Sequence, residues 1–257
     1  GVFFGTATRM GNLYGSLSLL IASILDCADG QLARVRGTSS RLGKTLDGIA
    51  DGVTYLSVTG GICFAMARSS GIAGWVWILY GFGMLASSLL HIYLFDYFKN
   101  EFIFYTLPEY HEKLEGLESL ERQRQALRET GGNKVHKFLL SAYLLFYSVQ
   151  WTVLRFILPS EYRGYLYWYL NNPLVPERVK EALRRNYRHY NQLSVRGWSL
   201  IGATAHVTVG IIAPLFGRAD LVLWVICVPF NLYALVLMLL QRLSLAHQLR
   251  IAHKTVA

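Results

Sequence analysis

The sequence predicts an all-α integral membrane protein, and three observations predict it. Of the 257 residues, 53% are hydrophobic and only 16% charged, whereas soluble domains run near about 25% charged. Apolar runs at about 11–33, 43–67, 72–98, 197–216 and 220–241 each approach or exceed the roughly 20 residues that cross a bilayer as a helix. The net charge of +9 interrupts these runs instead of forming one basic stripe, which argues against a nucleic-acid partner and for a lipid bilayer flanked by cations.

The elements follow in order. The apolar start Gly1-Val2-Phe3-Phe4 has no basic segment before it and reads as the tail of a truncated span, not as a signal peptide. The loop 34–44 carries Arg34, Arg36, Arg41 and Lys44 with no acid, so it is expected in the cytoplasm. The turns near Arg68 and Arg218 are then external, and the tail with Arg242, Arg250 and Lys254 is cytoplasmic again. By parity the charged stretch at about 99–196 begins and ends inside. It is read as an insert of a single domain, 1–257. Residues 109–130 read as a solvated helix with salt-bridged faces. The run 135–158 has a polar stripe at Lys134, Lys137, Ser141, Ser148, Thr152 and Arg155. Parity and amphipathicity favour a helix lying in the interface plane, with a true span as the alternative. Cys27, Cys63 and Cys227 show no paired spacing and read as packing residues.

The chemistry is expected between 26 and 51, where the pattern is D-x2-D-G-x2-A-R-x8-G-x3-D-x3-D. Asp26 and Asp29 share one helical face, as do Asp47 and Asp51 with Gly43 a turn earlier. Small residues at Gly11, Gly15 and Ser18 let helices approach closely. A hairpin would therefore bring the four carboxylates together at the cytoplasmic boundary. Four such acids beside hydrocarbon repel one another unless cations intervene. Hard oxygen donors call for Mg²⁺ or Mn²⁺, and two ions could clamp the attacking and leaving oxygens of a phosphoryl transfer. Gly30 allows close backbone approach of a bulky ligand, and Arg34 can pair with phosphate. The twelve-residue loop and closing Glu of an EF-hand are absent.

This motif resembles that of the CDP-alcohol phosphatidyltransferase family, every fixed position matching. The resemblance implies a six-helix transmembrane core, with the first helix largely missing upstream of Gly1. It implies an enzyme of phospholipid or related polar-lipid synthesis, multi-pass in the cell inner membrane with its site facing the cytoplasm, and a homodimer. Its donor would be a CDP-alcohol such as CDP-diacylglycerol, and its acceptor a hydroxyl. Asp26, Asp29 and Asp47 would ligate two metal ions, and Asp51 would touch one and act as general base. Gly30 and Arg34 would hold the CDP pyrophosphate with Gly43 alongside, and Ser40 would lie by the nucleotide or its alcohol. The short polar motif that ends the family's first helix is not found.

A second polar set, Arg196, Ser199, Ala203 and His206, is expected on one face of the span from 197, offering an acceptor site. His91, Asp96 and Asn231 are further candidates. Snorkelling and helix–helix hydrogen bonds are the structural alternatives for all of these. Two other functions fit less well. A membrane prenyltransferase would carry its two acidic motifs on separate helix pairs, and an ion-coupled transporter would hold its acids at mid-membrane.

Overall fold

The structure is a computed structural model that describes residues 1–37, 41–107 and 160–256. All regular structure among the described residues is helical: α1 (Val2–Gly5), α2 (Arg9–Val35), α3 (Arg41–Ser69), α4 (Gly74–Thr106), α5 (Ser160–Asn171), α6 (Glu177–Ser199), α7 (Ala203–Leu215), α8 (Asp220–Cys227) and α9 (Pro229–Val256). Five stretches are long and apolar enough to cross a membrane: Arg9–Ala33, Asp47–Ser69, Gly74–Thr106, Glu177–Leu215 and Asp220–Leu245. Their large apolar side chains stay exposed, as at Leu17, Ile21, Ile24 and Leu25 on α2. Water would not tolerate such continuous apolar faces, but lipid would. The helix expected at 109–130 and the run 135–158 lie outside the described residues.

Two of the expected spans are interrupted. Residues 197–216 do not form one helix: α6 ends at Ser199, and α7 restarts at Ala203 with an extended Gly202 as its N-cap. The last span breaks at Val228, because Pro229 has no N–H to continue α8 and fits the first position of a new helix.

The chain divides into two compact units, residues 1–92 with 199–234, and residues 93–198 with 235–257. In the first unit α2 packs on α7, α1 on α2 and α3, and α8 on α7 and α3. Its core includes Phe4, Leu19, Ile62, Met84, Leu223 and Ile226. The Thr8 hydroxyl accepts from the Gly11 N–H at 3.0 Å and caps α2. Ser16 Oγ donates to the Ile211 carbonyl at 2.9 Å, tying α2 to α7 where a small side chain allows close approach. In the second unit one face of α6, with Leu183, Tyr187, Asn191 and Trp198, is buried at helical spacing. Trp198 stacks on Phe98 at 5.2 Å, and Tyr187 meets Tyr105 edge-on at 5.0 Å. Gln241 Nε2 donates to Asn191 Oδ1 at 2.9 Å, a polar pairing inside an apolar interface.

Candidate active site

The acidic hairpin is built as its spacing predicts. α2 runs past Asp26, Asp29 and Arg34 and is stopped by Gly37, whose φ of 63° a side chain would resist. α3 then returns through Gly43, Asp47 and Asp51. All four aspartates and Gly30 are exposed. The Asp47 carboxyl lies within hydrogen-bonding reach of Asp26 and within electrostatic reach of Asp29. Asp51, one turn further along α3, faces both Asp26 and Asp47. The hairpin therefore brings the two carboxylate pairs onto one locus at the ends of two membrane-length helices. Gly30 and Gly43 lie on helical backbone of the two arms. Ser40 lies outside the described residues.

The donor set is all oxygen, which suits a hard divalent cation. Among the described residues, however, no three acidic, histidine or cysteine side chains are arranged as a finished metal centre.

The second polar set is divided by the helix break. Arg196 and Ser199 are exposed on α6, while His206 is buried on α7 at 2% exposure. The single helical face expected for Arg196, Ser199, Ala203 and His206 is thus lost between 199 and 203. Asp96 is exposed and pairs with Lys99 at 2.5 Å, a surface ion pair on α4. Asn231 Nδ2 donates to Ser87 Oγ at 2.7 Å and to the Cys227 carbonyl at 2.9 Å, so it ties α9 to α4 and covers the break at Pro229.

His91 and His206, which the sequence leaves as separate candidates on distant spans, meet. Nδ1 of His91 and Nε2 of His206 are 3.3 Å apart. Both residues are buried, at 0% and 2% exposure. Phe230 stacks on the His206 ring at 5.5 Å, and Tyr55 approaches it edge-on at 6.3 Å. Sequence reasoning missed Tyr55. Its signal was its position four residues after Asp51, on the same face of α3, and it lies within electrostatic reach of Asp51.

Helices throughout the described residues, five membrane-length stretches among them and an exposed acidic hairpin define a membrane protein with a polar site at a helix-end boundary. Residues 2–107, which hold the hairpin and α1–α4, match the family described as CDP-alcohol phosphatidyltransferase. This bears out the resemblance carried by the motif. A stretch of 58 residues is 38% identical to the CDP-diacylglycerol--serine O-phosphatidyltransferase of Mycobacterium leprae (strain TN), covering 23% of this chain and 19% of that protein. The matched stretch thus spans about a fifth of that relative's length. No solved structure matches the chain.

Proposed function

We propose that this protein transfers a phospho-alcohol group from a CDP-alcohol to an acceptor hydroxyl, releasing CMP, in phospholipid or related polar-lipid synthesis. The observation that carries this reading is the convergence of Asp26, Asp29, Asp47 and Asp51 on one hairpin within the family-matched segment. The name of the Mycobacterium leprae relative supports a CDP-diacylglycerol donor.

Asp26, Asp29, Asp47 and Asp51 are the residues that would hold two Mg²⁺ or Mn²⁺ ions. Bound there, divalent ions supply charge neutralisation at the pyrophosphate and the departing CMP. Gly30, Arg34, Ser40 and Gly43 bind the CDP-alcohol: the glycines clear space for its phosphates, and Arg34 offers a planar pair of donors. Asp51 takes the proton from the acceptor hydroxyl as that oxygen attacks the phosphorus bearing the donor alcohol. The new O–P bond forms as the bond from that phosphorus to the bridging oxygen breaks, and CMP leaves with the electron pair. Asp51 suits the base role because it stands at the deeper end of the cluster, furthest along α3. Arg196, Ser199 and His206 are the acceptor-side residues.

The protein works as a single domain with a six-helix core and an insert at about 99–196. It is a homodimer of the cell inner membrane, with the hairpin facing the cytoplasm. The test is CMP release by purified protein from CDP-diacylglycerol and other CDP-alcohols, with and without Mg²⁺. Asp51→Asn is expected to lower acceptor-dependent turnover by at least about a hundredfold. Near wild-type turnover of that variant would refute the base assignment.

A further inference from the structure

The first unit has a cavity at the end remote from the acidic hairpin. α3 continues from Asp51 to Ser69, so the turn into α4 stands about 27 Å along the helix from that acid. There a cavity of about 410 Å³ opens between the start of α4 and the start of α8, a volume within the range of small-ligand sites. Ile72, Val76 and Tyr80 line one side, Leu221 and Trp224 the other, and Leu223, only 1% exposed, lies at the base. Val76 and Tyr80 are a turn apart, as are Leu221 and Trp224, so the cavity is a groove that runs along both helices.

The aromatic side chains set its depth in a bilayer. Trp75, Tyr80 and Trp224 are exposed, and Trp77 Nε1 donates to Ser70 Oγ in the turn at 2.8 Å. Rings with one polar edge gather at the headgroup level, so the groove opens among headgroups and descends beside acyl chains. Its mouth is charged but balanced. Gly217, at a φ of 73°, turns the chain out of α7, and the Arg218 N–H donates back to the Ala213 carbonyl at 3.1 Å. From that fixed backbone the Arg218 guanidinium donates through Nε and Nη2 to the two carboxylate oxygens of Asp220, at 3.0 and 2.8 Å. Its other N–H groups remain for a phosphate. No other lining residue is ionised.

These features select the occupant. A water-soluble ligand would leave the apolar and aromatic lining unmatched. A fatty acid or an anionic lipid would bring its charge to a cation that already has a counter-ion. A zwitterionic phospholipid matches each part. Its phosphate meets the remaining guanidinium N–H groups, its cationic group lies beside Asp220, and one acyl chain fills the groove. We propose that the groove between α4 and α8 binds one zwitterionic phospholipid, with Arg218 and Asp220 holding the headgroup. The site is separate from the acidic hairpin, and its assay requires no turnover.

The test is native mass spectrometry of the full chain released from detergent micelles. Phosphatidylethanolamine or phosphatidylglycerol is titrated in, both carrying the same palmitoyl and oleoyl chains. The wild type is expected to retain one phosphatidylethanolamine saturably, about tenfold more tightly than phosphatidylglycerol. Asp220→Asn leaves the guanidinium without its counter-ion and is expected to reverse that order. Arg218→Gln is expected to weaken both lipids about tenfold by removing the phosphate donors. Val76→Phe fills the groove without touching the mouth, and should lower retention of both lipids while leaving their order unchanged. Many lipids added stepwise, with no difference between headgroups, would mean an ordinary lipid annulus and overturn the proposal. Tighter binding of phosphatidylglycerol by the wild type, or a headgroup order that Asp220→Asn does not move, overturns it as well. So does retention that Val76→Phe leaves unchanged, since the chain then lies elsewhere.

Discussion

Replacing Asp47 by asparagine is expected to make the metal-free protein more stable while removing its activity. Asp47 faces Asp26 at hydrogen-bonding range and also feels Asp29. Two unit charges about 4 Å apart repel by about 1 kcal/mol in bulk water and about 4 kcal/mol at an effective dielectric of about 20. All four acids are exposed, so the lower figure governs, and relief from two neighbours comes to about 1–2 kcal/mol. For a chain of this size that raises Tm by about 2–8 °C. An ion that binds only the folded state at a hundred times its Kd adds about 2.7 kcal/mol to the wild type, and the variant has lost a ligand for it. The two melting curves should therefore cross: Asp47→Asn is the more stable in EDTA, and the wild type is the more stable in Mg²⁺. The assay is thermal unfolding in one detergent across a Mg²⁺ titration, with CMP release alongside, where the loss should be at least about a hundredfold. Equal Mg²⁺ shifts in both proteins, or a variant less stable than wild type in EDTA, would sink the idea of a carboxylate cluster held under repulsion.

Further substitutions probe the packing within each of the two units. Gly81→Val should lower Tm by several degrees, because its Cβ would fall 2.8 Å from Cys63 Sγ and 3.2 Å from Thr59 Cγ2; overpacking of this kind costs about 1–3 kcal/mol. Ser16→Ala should cost about 1 kcal/mol by removing the bond to the Ile211 carbonyl, read as a fall in Tm of about 2–4 °C. Gln241→Leu should cost about 1–3 kcal/mol, since Asn191 Oδ1 loses its donor and the Ser194 hydroxyl loses its acceptor. The double variant Asn191→Leu/Gln241→Leu should fall well short of the sum of the two, measurable as a coupling energy in a denaturation cycle.

The hairpin was legible because its signals are local. Asp26 and Asp29, or Asp47 and Asp51, need only helical spacing to share a face, and a basic loop between them fixes the turn. The five apolar spans were legible for the same reason, but not all their ends: the stretch expected at 197–216 begins at Glu177, and that expected at 72–98 runs on to Thr106. The break at 200–202 was not, because nothing in its run of apolar residues halts a helix. Gly202 is one permissive residue, and only its extended ψ of −177° reveals the restart. The break at Pro229 carried a visible signal, a proline at the head of a helix. The histidine contact lay furthest from reach. His91 and His206 are separated by 115 positions, and whether two spans bring particular faces together depends on how the helices pack and rotate. Periodicity within either one says nothing about that.

The basic residues flanking the helices also set an expected orientation. Arg34, Arg36, Arg41 and Lys44 cluster where α2 ends and α3 begins, with no acid among them, and such basic ends are expected on the cytoplasmic side. The loops at the opposite ends hold Arg68 and Arg218, and Arg218 is neutralised by Asp220 at 2.8 Å. One cation at each of those ends against four at the hairpin gives the expectation that the hairpin lies inside. Cys27 reports on this directly. It stands between Asp26 and Asp29 and is exposed, whereas the Cys63 thiol donates to the Trp77 carbonyl at 3.1 Å and Cys227 is half-buried. A variant keeping only Cys27, with Cys63→Ala and Cys227→Ala, should react with a membrane-impermeant maleimide in inverted inner-membrane vesicles. It should resist in sealed right-side-out vesicles until detergent is added. CDP-diacylglycerol with Mg²⁺ should slow the reaction, because the thiol lies between two of the proposed metal ligands. Labelling confined to right-side-out vesicles would put the acids on the outer face, where no CDP-alcohol donor is supplied, and would overturn both the orientation and the function assigned to the hairpin.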